Sequence, residues 1–266
     1  LWSADLILGR YIEKPATRFW ILIILVFTAP MPTLTFISME HVLHGLLTLW
    51  FVYLSVQAIT SPQTGTKQYT ALLAIAFFLT VTRYEGLFTV AIVSALLLVN
   101  RKWRPAFMIG IVGLLPVVLY GIWSVANGWY FIPNSILIKA NTSTLSIGGG
   151  DIPFALQFTF ANLVFAPHLV VLGIASIVFA YRQIGKSIWT ETTYLNIIFA
   201  GISLLQVVFA RVGWLFRYEA YLVVLGLVVF SMTMQESFSR GELLKTYTSV
   251  TTLRRVWYTF IVVIFI

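Results

Sequence analysis

Long apolar runs, broken by short segments that hold almost every charge, constrain this chain more than any other feature. The runs lie near 19–37, 42–59, 69–82, 87–99, 106–124, 161–181, 194–210 and 219–234, with a further one opening at 256. A bilayer span needs roughly 20 mostly apolar residues, and most of these runs approach that length. Backbone polar groups inside a bilayer must be satisfied within the segment, so such runs are expected as helices. The reading is an all-α, polytopic transmembrane bundle of about eight to nine spans, one domain over 1–266, with a longer external loop region at 124–160. Pro30 and Pro32 are expected to bend the first span, because proline cannot continue the helix ladder. The runs at 69–82 and 87–99 are short for spans and suit tilted helices or ones reaching into their flanking loops.

Only 10% of the 266 residues are charged and 59% are hydrophobic, against about a quarter charged in a soluble domain. A soluble enzyme is therefore disfavoured. The net charge of +8 does not indicate nucleic acid either, because no basic cluster is interleaved with exposed polar surface. There is no cysteine, which removes disulfides and thiolate metal sites. The chain opens at Leu1 without a signal-peptide pattern and closes at Ile266 inside an apolar run of about half a span. On this reading it is an internal fragment of a longer protein, with the last span truncated.

Alternation sorts the loops into two sets. The segments 1–18, 60–68, 100–105, 182–193 and 235–255 hold Arg10, Lys14, Arg18, Lys67, Arg101, Lys102, Arg104, Arg182, Lys186, Arg240, Lys245, Arg254 and Arg255, which is 13 of the 17 basic residues. The positive-inside rule makes that face cytoplasmic. The opposite face keeps only Arg83, Lys139, Arg211 and Arg217.

Those four cations fall in compact polar clusters at helix ends. The clusters are Ser38-Met39-Glu40-His41, Arg83-Tyr84-Glu85-Gly86, the segment from Pro133-Asn134-Ser135 to Lys139, and the step from Arg211 to Arg217-Tyr218-Glu219. A charge drawn toward the bilayer costs at least about 2.5–3.5 kcal/mol, so such residues tend to line cavities and pair. Glu40 either caps a helix or faces a polar vestibule; His41 and His44 share a face but make a weak metal pair. Arg83 and Glu85 either cap a turn or serve a ligand in a recess. Lys139, near the aromatic residues 129–131, suits headgroup level and a lipid-linked phosphate. Arg211 and Arg217 either anchor the interface or hold phosphate by a bidentate fork, with Glu219 orienting Arg217 or meeting a sugar. His168 reads as structural. Asn141-Thr142-Ser143 matches a glycosylation sequon weakly, and Gly148-Gly149-Gly150-Asp151 follows no strand and is no nucleotide loop. Walker, dinucleotide, zincin and nucleophile-elbow motifs are absent from the sequence.

Taken together, the clusters resemble the membrane-embedded GT-C glycosyltransferases, the bacterial arabinofuranosyltransferase-like and mannosyltransferase-like members most closely. Ser38-Met39-Glu40 resembles that family's small-residue–Met/Leu–Glu helix opening. Arg83-Tyr84-Glu85-Gly86 is similar to its Arg-Pro-Glu-Gly turn, with Tyr84 in place of proline. Pro133-Asn134-Ser135 with Lys139, and Arg217-Tyr218, match two further motifs, so that the resemblance covers roughly 10–235.

The resemblance implies inverting transfer of a sugar from a polyprenyl-phosphate donor to a cell-envelope glycan or lipid acceptor. A carboxylate would deprotonate the acceptor hydroxyl while cations stabilise the departing phosphate. The implied setting is a bacterial inner membrane, with membrane lipids around the chain, no nucleic-acid partner and the active site facing outside. Glu40, His41, Arg83, Glu85, Asn134, Lys139, Arg211, Arg217 and Tyr218 become the substrate-binding set, with Lys139, Arg211 and Arg217 for donor phosphate. On this resemblance the family's catalytic Asp is expected upstream of Leu1, no catalytic residue is assigned within the chain, and a divalent cation stays open as a cofactor. The competing expectation is a transporter or flippase of lipid-linked glycans. Such a protein should carry ionisable or helix-breaking groups near mid-membrane, often in repeated halves, whereas Gln57, Ser94, Ser176, Asn196, Ser203 and Gln206 are only weakly polar and no repeat is visible.

Overall fold

A computed structural model describes residues 1–29, 31–36, 40–61, 65–132, 146–147, 150–151, 159, 162–210, 212 and 218–239. In chain order the helices are α1 (Trp2–Gly9), α2 (Pro15–Thr28), α3 (Met31–Phe36), α4 (His41–Thr60), α5 (Thr66–Thr82), α6 (Gly86–Val99) and α7 (Trp103–Ala126), followed by α8 (Pro167–Gly185), α9 (Glu191–Phe209) and α10 (Ala220–Ser239). Between α7 and α8, Ser146–Ile147 pairs antiparallel with Gly150–Asp151, a small exception to the all-α expectation.

Five of these helices, α4, α7, α8, α9 and α10, are long and apolar enough to cross a membrane. The chain is an integral membrane protein. The count expected from sequence is not reached among the described residues, for two physical reasons. The run at 19–37 is not one helix: α2 ends at Thr28 and a six-residue helix follows from Met31, as expected where Pro30 restricts the residue before it. The middle pair is short, α5 having 17 residues and α6 14. The run opening at 256 lies outside the described residues. Conversely α1, in a stretch read as a loop, folds because Ala4, Ile7 and Leu8 form a buried apolar face.

Burial separates centre from periphery. α10 is 67% buried along its apolar window, whereas α7 is only 22% buried. Accordingly Phe107, Ile111, Leu114, Leu115, Leu119 and Ile122 of α7 are exposed, as lipid-facing residues are. Trp103 and Trp123 are also exposed; at a rise of about 1.5 Å per residue they stand about 30 Å apart, the thickness of a hydrocarbon core. Close packing fixes the central helices: a Cβ on Gly226 of α10 would stand 2.6 Å from the Phe199 ring.

Helix ends alternate between two faces. On one, the Lys102 ammonium donates to the carbonyls of Ala58 and Ser61 at 2.5 Å, joining the end of α4 to the start of α7. Asn100 accepts from the Tyr194 hydroxyl at 2.8 Å, and Thr193 donates to Gln183 at 2.9 Å. These bonds gather the ends of α4, α6 and α8 with the starts of α7 and α9, on the face that sequence alternation assigns to the basic loops. At the opposite end, Asn162 donates to the carbonyls of Val207 and Ala210 at 2.8 and 2.6 Å, tying the approach to α8 to the end of α9.

Candidate functional site

The turn between α5 and α6 places the first functional groups. Arg83 leaves α5 in an extended conformation (φ −154°, ψ 141°), and the Gly86 amide closes the turn on the Arg83 carbonyl at 3.0 Å. Glycine is required here by proximity: a Cβ at Gly86 would stand 2.7 Å from the Leu79 carbonyl oxygen. The close turn sends the Arg83 side chain into the bundle instead of toward solvent, leaving the residue 8% exposed.

A buried guanidinium must find acceptors for its donors, and three segments supply them. Glu85 takes a bidentate pair, from Nη2 at 2.7 Å and from Nε at 3.3 Å. Glu40, immediately before α4, accepts from Nη1 at 3.3 Å, and Nδ1 of His41 lies 2.6 Å from the same nitrogen. Since the guanidinium can only donate, that imidazole nitrogen accepts and carries no proton. Tyr218, at the approach to α10, lays its ring 5.6 Å from the Arg83 Cζ, a cation–π contact. Beneath this layer His44 meets the buried Tyr221 ring edge-on at 4.5 Å.

The electrostatics follow from this arrangement. Burial disfavours the guanidinium charge, but Glu85 and Glu40 outweigh it and hold the Arg83 pKa above its ordinary value. Burial likewise opposes ionisation of Glu85, and the hydrogen bonds and charge of Arg83 prevail, holding that carboxyl below its usual range. One guanidinium against two carboxylates leaves the trio with a net charge of −1. Exposure divides their roles: the Arg83 and Glu85 side chains are 7% and 19% exposed, while that of Glu40 is 44% exposed. Glu40 is the member a ligand can reach.

Five residues singled out from sequence therefore meet at one place: Glu40, His41, Arg83, Glu85 and Tyr218. Asn134, Lys139, Arg211 and Arg217 lie outside the described residues. His41 and His44 do not form a metal pair, because one faces Arg83 and the other Tyr221. Among the described residues no group of three or more His, Asp or Glu is placed to hold a metal ion. Glu219 is fully buried with its carboxylate 3.9 Å from His168 Nε2, which links the starts of α8 and α10.

One grouping escaped the sequence reading. On the opposite face Glu191 accepts from the Tyr11 hydroxyl and Glu236 from the Thr192 hydroxyl. Five of the nine acidic residues, Asp5, Glu13, Glu191, Glu236 and Glu242, fall in the segments read as the basic face, so sequence alone did not single out Glu191 and Glu236. No protein-family model, curated protein sequence or solved structure matches this chain.

Proposed function

We propose that this chain is a membrane glycosyltransferase of the GT-C type, taking its sugar from a polyprenyl-phosphate donor and acting at the face opposite its basic loops. The observation that carries this reading is the convergence of three motifs, distant in sequence, on one turn. Glu40-His41, Arg83-Glu85 and Tyr218 come from separate helix ends and surround one buried guanidinium. The proposed membrane is a bacterial inner membrane, with the cluster on its outer side and further spans completing the GT-C bundle.

On this reading each group has different work. Arg83 is occupied by Glu85, Glu40 and His41 and has little left for a phosphate, so it is a positioning residue. It fixes Glu85 and aims Glu40. The half-exposed Glu40 carboxylate accepts hydroxyl hydrogen bonds, which suits a sugar or an acceptor glycan. The Tyr218 ring offers an aromatic face beside it, a usual partner of sugar rings. Donor phosphate falls to Lys139, Arg211 and Arg217, by point charge and by bidentate contact, with Asn134 on the sugar. The departing phosphate is stabilised by those cations, and the acceptor hydroxyl loses its proton to a carboxylate. Glu85 is a poor candidate for that base, since its carboxylate is committed to Arg83.

The test is transfer of labelled sugar from a synthetic polyprenyl-phosphate donor by the full-length protein in proteoliposomes. Wild-type protein should yield labelled lipid or glycan product. Glu40→Gln should cut turnover by an order of magnitude or more while the helical content stays unchanged. Translocation of labelled donor across the bilayer without any glycosyl product would overturn the reading in favour of a transporter.

A further inference from the structure

The basic face holds a recess of about 490 Å³ between the end of α1, the start of α9 and the last turns of α10. That volume is within the range of small-ligand sites and far larger than a single ion needs. Its polar wall is built from Arg10, Glu191, Gln235 and Glu236. The carboxylates are held in place by hydroxyl donors, Tyr11 on Glu191 and Thr192 on Glu236. Arg10 is shared between the Tyr53 hydroxyl at 3.0 Å and Glu191 at 3.5 Å. The Gln235 amide is bonded to no other described residue.

We propose that this recess binds the zwitterionic phosphoethanolamine headgroup of a membrane lipid. The charges argue for a ligand of both signs. Among the described lining residues two carboxylates stand against one guanidinium, a net charge of −1, on a face whose segments carry 13 basic and five acidic residues. An ammonium is drawn to Glu191 and Glu236. Arg10 has five donors and, among the described residues, two partners, Tyr53 and Glu191, so donors remain for a phosphate. Depth argues for a lipid: Trp189, two residues before Glu191, is 53% exposed, and Tyr181 at the same end is exposed as well. Aromatic residues of this kind mark the headgroup level. A primary ammonium can donate three hydrogen bonds to carboxylates and the Gln235 amide oxygen; the quaternary ammonium of phosphocholine can donate none. This site is independent of the glycosyltransferase reading.

The experiment is native mass spectrometry of the full chain released from bilayers of mixed phosphatidylethanolamine, phosphatidylcholine and phosphatidylglycerol. One phosphatidylethanolamine per protein should be retained, preferred over phosphatidylcholine by about tenfold or more, the worth of one charge-assisted hydrogen bond. Glu191→Gln with Glu236→Gln should erase the preference. If that double variant does not fold, Gln235→Ala, which breaks no existing bond, should still lower it. Displacement of the retained lipid by soluble phosphoethanolamine would support headgroup recognition. Equal retention of the two zwitterionic lipids, a preference for phosphatidylglycerol, or an unchanged preference in folded variants would overturn the proposal. Binding of soluble phosphoethanolamine without any retained lipid would overturn the lipid assignment.

Discussion

Replacing Arg83 by methionine removes the guanidinium while keeping most of the side-chain volume. Glu85 then loses both of its bonds to Arg83, at 2.7 and 3.3 Å, at a position where its side chain is only 19% exposed. Breaking a buried pair by deleting one partner costs about 3–5 kcal/mol, because an uncompensated charge stays buried. Glu40 contributes little to this sum. Its side chain is 44% exposed and its bond to Arg83 is 3.3 Å long, so its loss is on the order of 0–1 kcal/mol. The double change Arg83→Met with Glu85→Met removes both charges and should recover most of the deficit, as apolar replacements of buried pairs commonly do. The assay is reversible denaturant unfolding in mixed micelles, comparing both variants with Glu40→Gln. The expected order of stability places Glu40→Gln near wild type, the double variant next and Arg83→Met last. If Arg83→Met loses no more than Glu40→Gln, or the double variant is no better than the single one, the buried-pair account fails.

Other outcomes follow from the same geometry. Gly86→Ala brings a Cβ to 2.7 Å from the Leu79 carbonyl and should destabilise by about 1–3 kcal/mol, the range for overpacking; thermal unfolding checks this. Asn196→Leu breaks the 2.8 Å and 2.7 Å bonds to the Thr192 carbonyl and the Thr233 hydroxyl. It should cost roughly 0.6–1.7 kcal/mol by the same denaturant titration, the range for polar contacts between membrane helices. The Glu85 carboxyl is held below its ordinary 4.5, so its contribution is fully present above that value and drains away as pH falls through the lower folded value. Unfolding midpoints measured from pH 6 down to pH 3 should therefore show an acid-labile component that Glu85→Gln lacks.

Much of the architecture was legible because lipid and charge leave strong marks on sequence. Since a helix crossing the bilayer has little freedom in length or composition, apolar runs located α4 through α10, with ends off by up to six residues, the largest at the start of α8, which begins at Pro167 and not at 161. Alternation of basic residues sorted the helix ends as the hydrogen bonds at Asn100, Lys102 and Gln183 do. At the site, the local Arg83–Glu85 pair was legible because few charges survive in such a chain; that Glu40, His41 and Tyr218 join it is seen only in the structure. What sequence did not give was pairing. Two histidines three residues apart share a helix face, yet neighbouring elements decide that one serves Arg83 and the other Tyr221. Proline positions marked a bend in 19–37, but not that α2 would stop at Thr28. The Glu219–His168 and Tyr11–Glu191 contacts join residues 51 and 180 positions apart, and no local pattern announces them.

The central claim is that the side-chain cluster where the ends of α4, α5, α6 and α10 meet receives the lipid-linked sugar. Photolabelling with a diazirine-bearing polyprenyl-phosphate sugar, followed by peptide mapping, tests this most directly. The account expects labels on the segments around Glu40, Arg83 to Glu85 and Tyr218, removed by excess unlabelled donor. Labelling confined to the basic face, or spread over the lipid-facing surface of α7 and insensitive to competition, would contradict it.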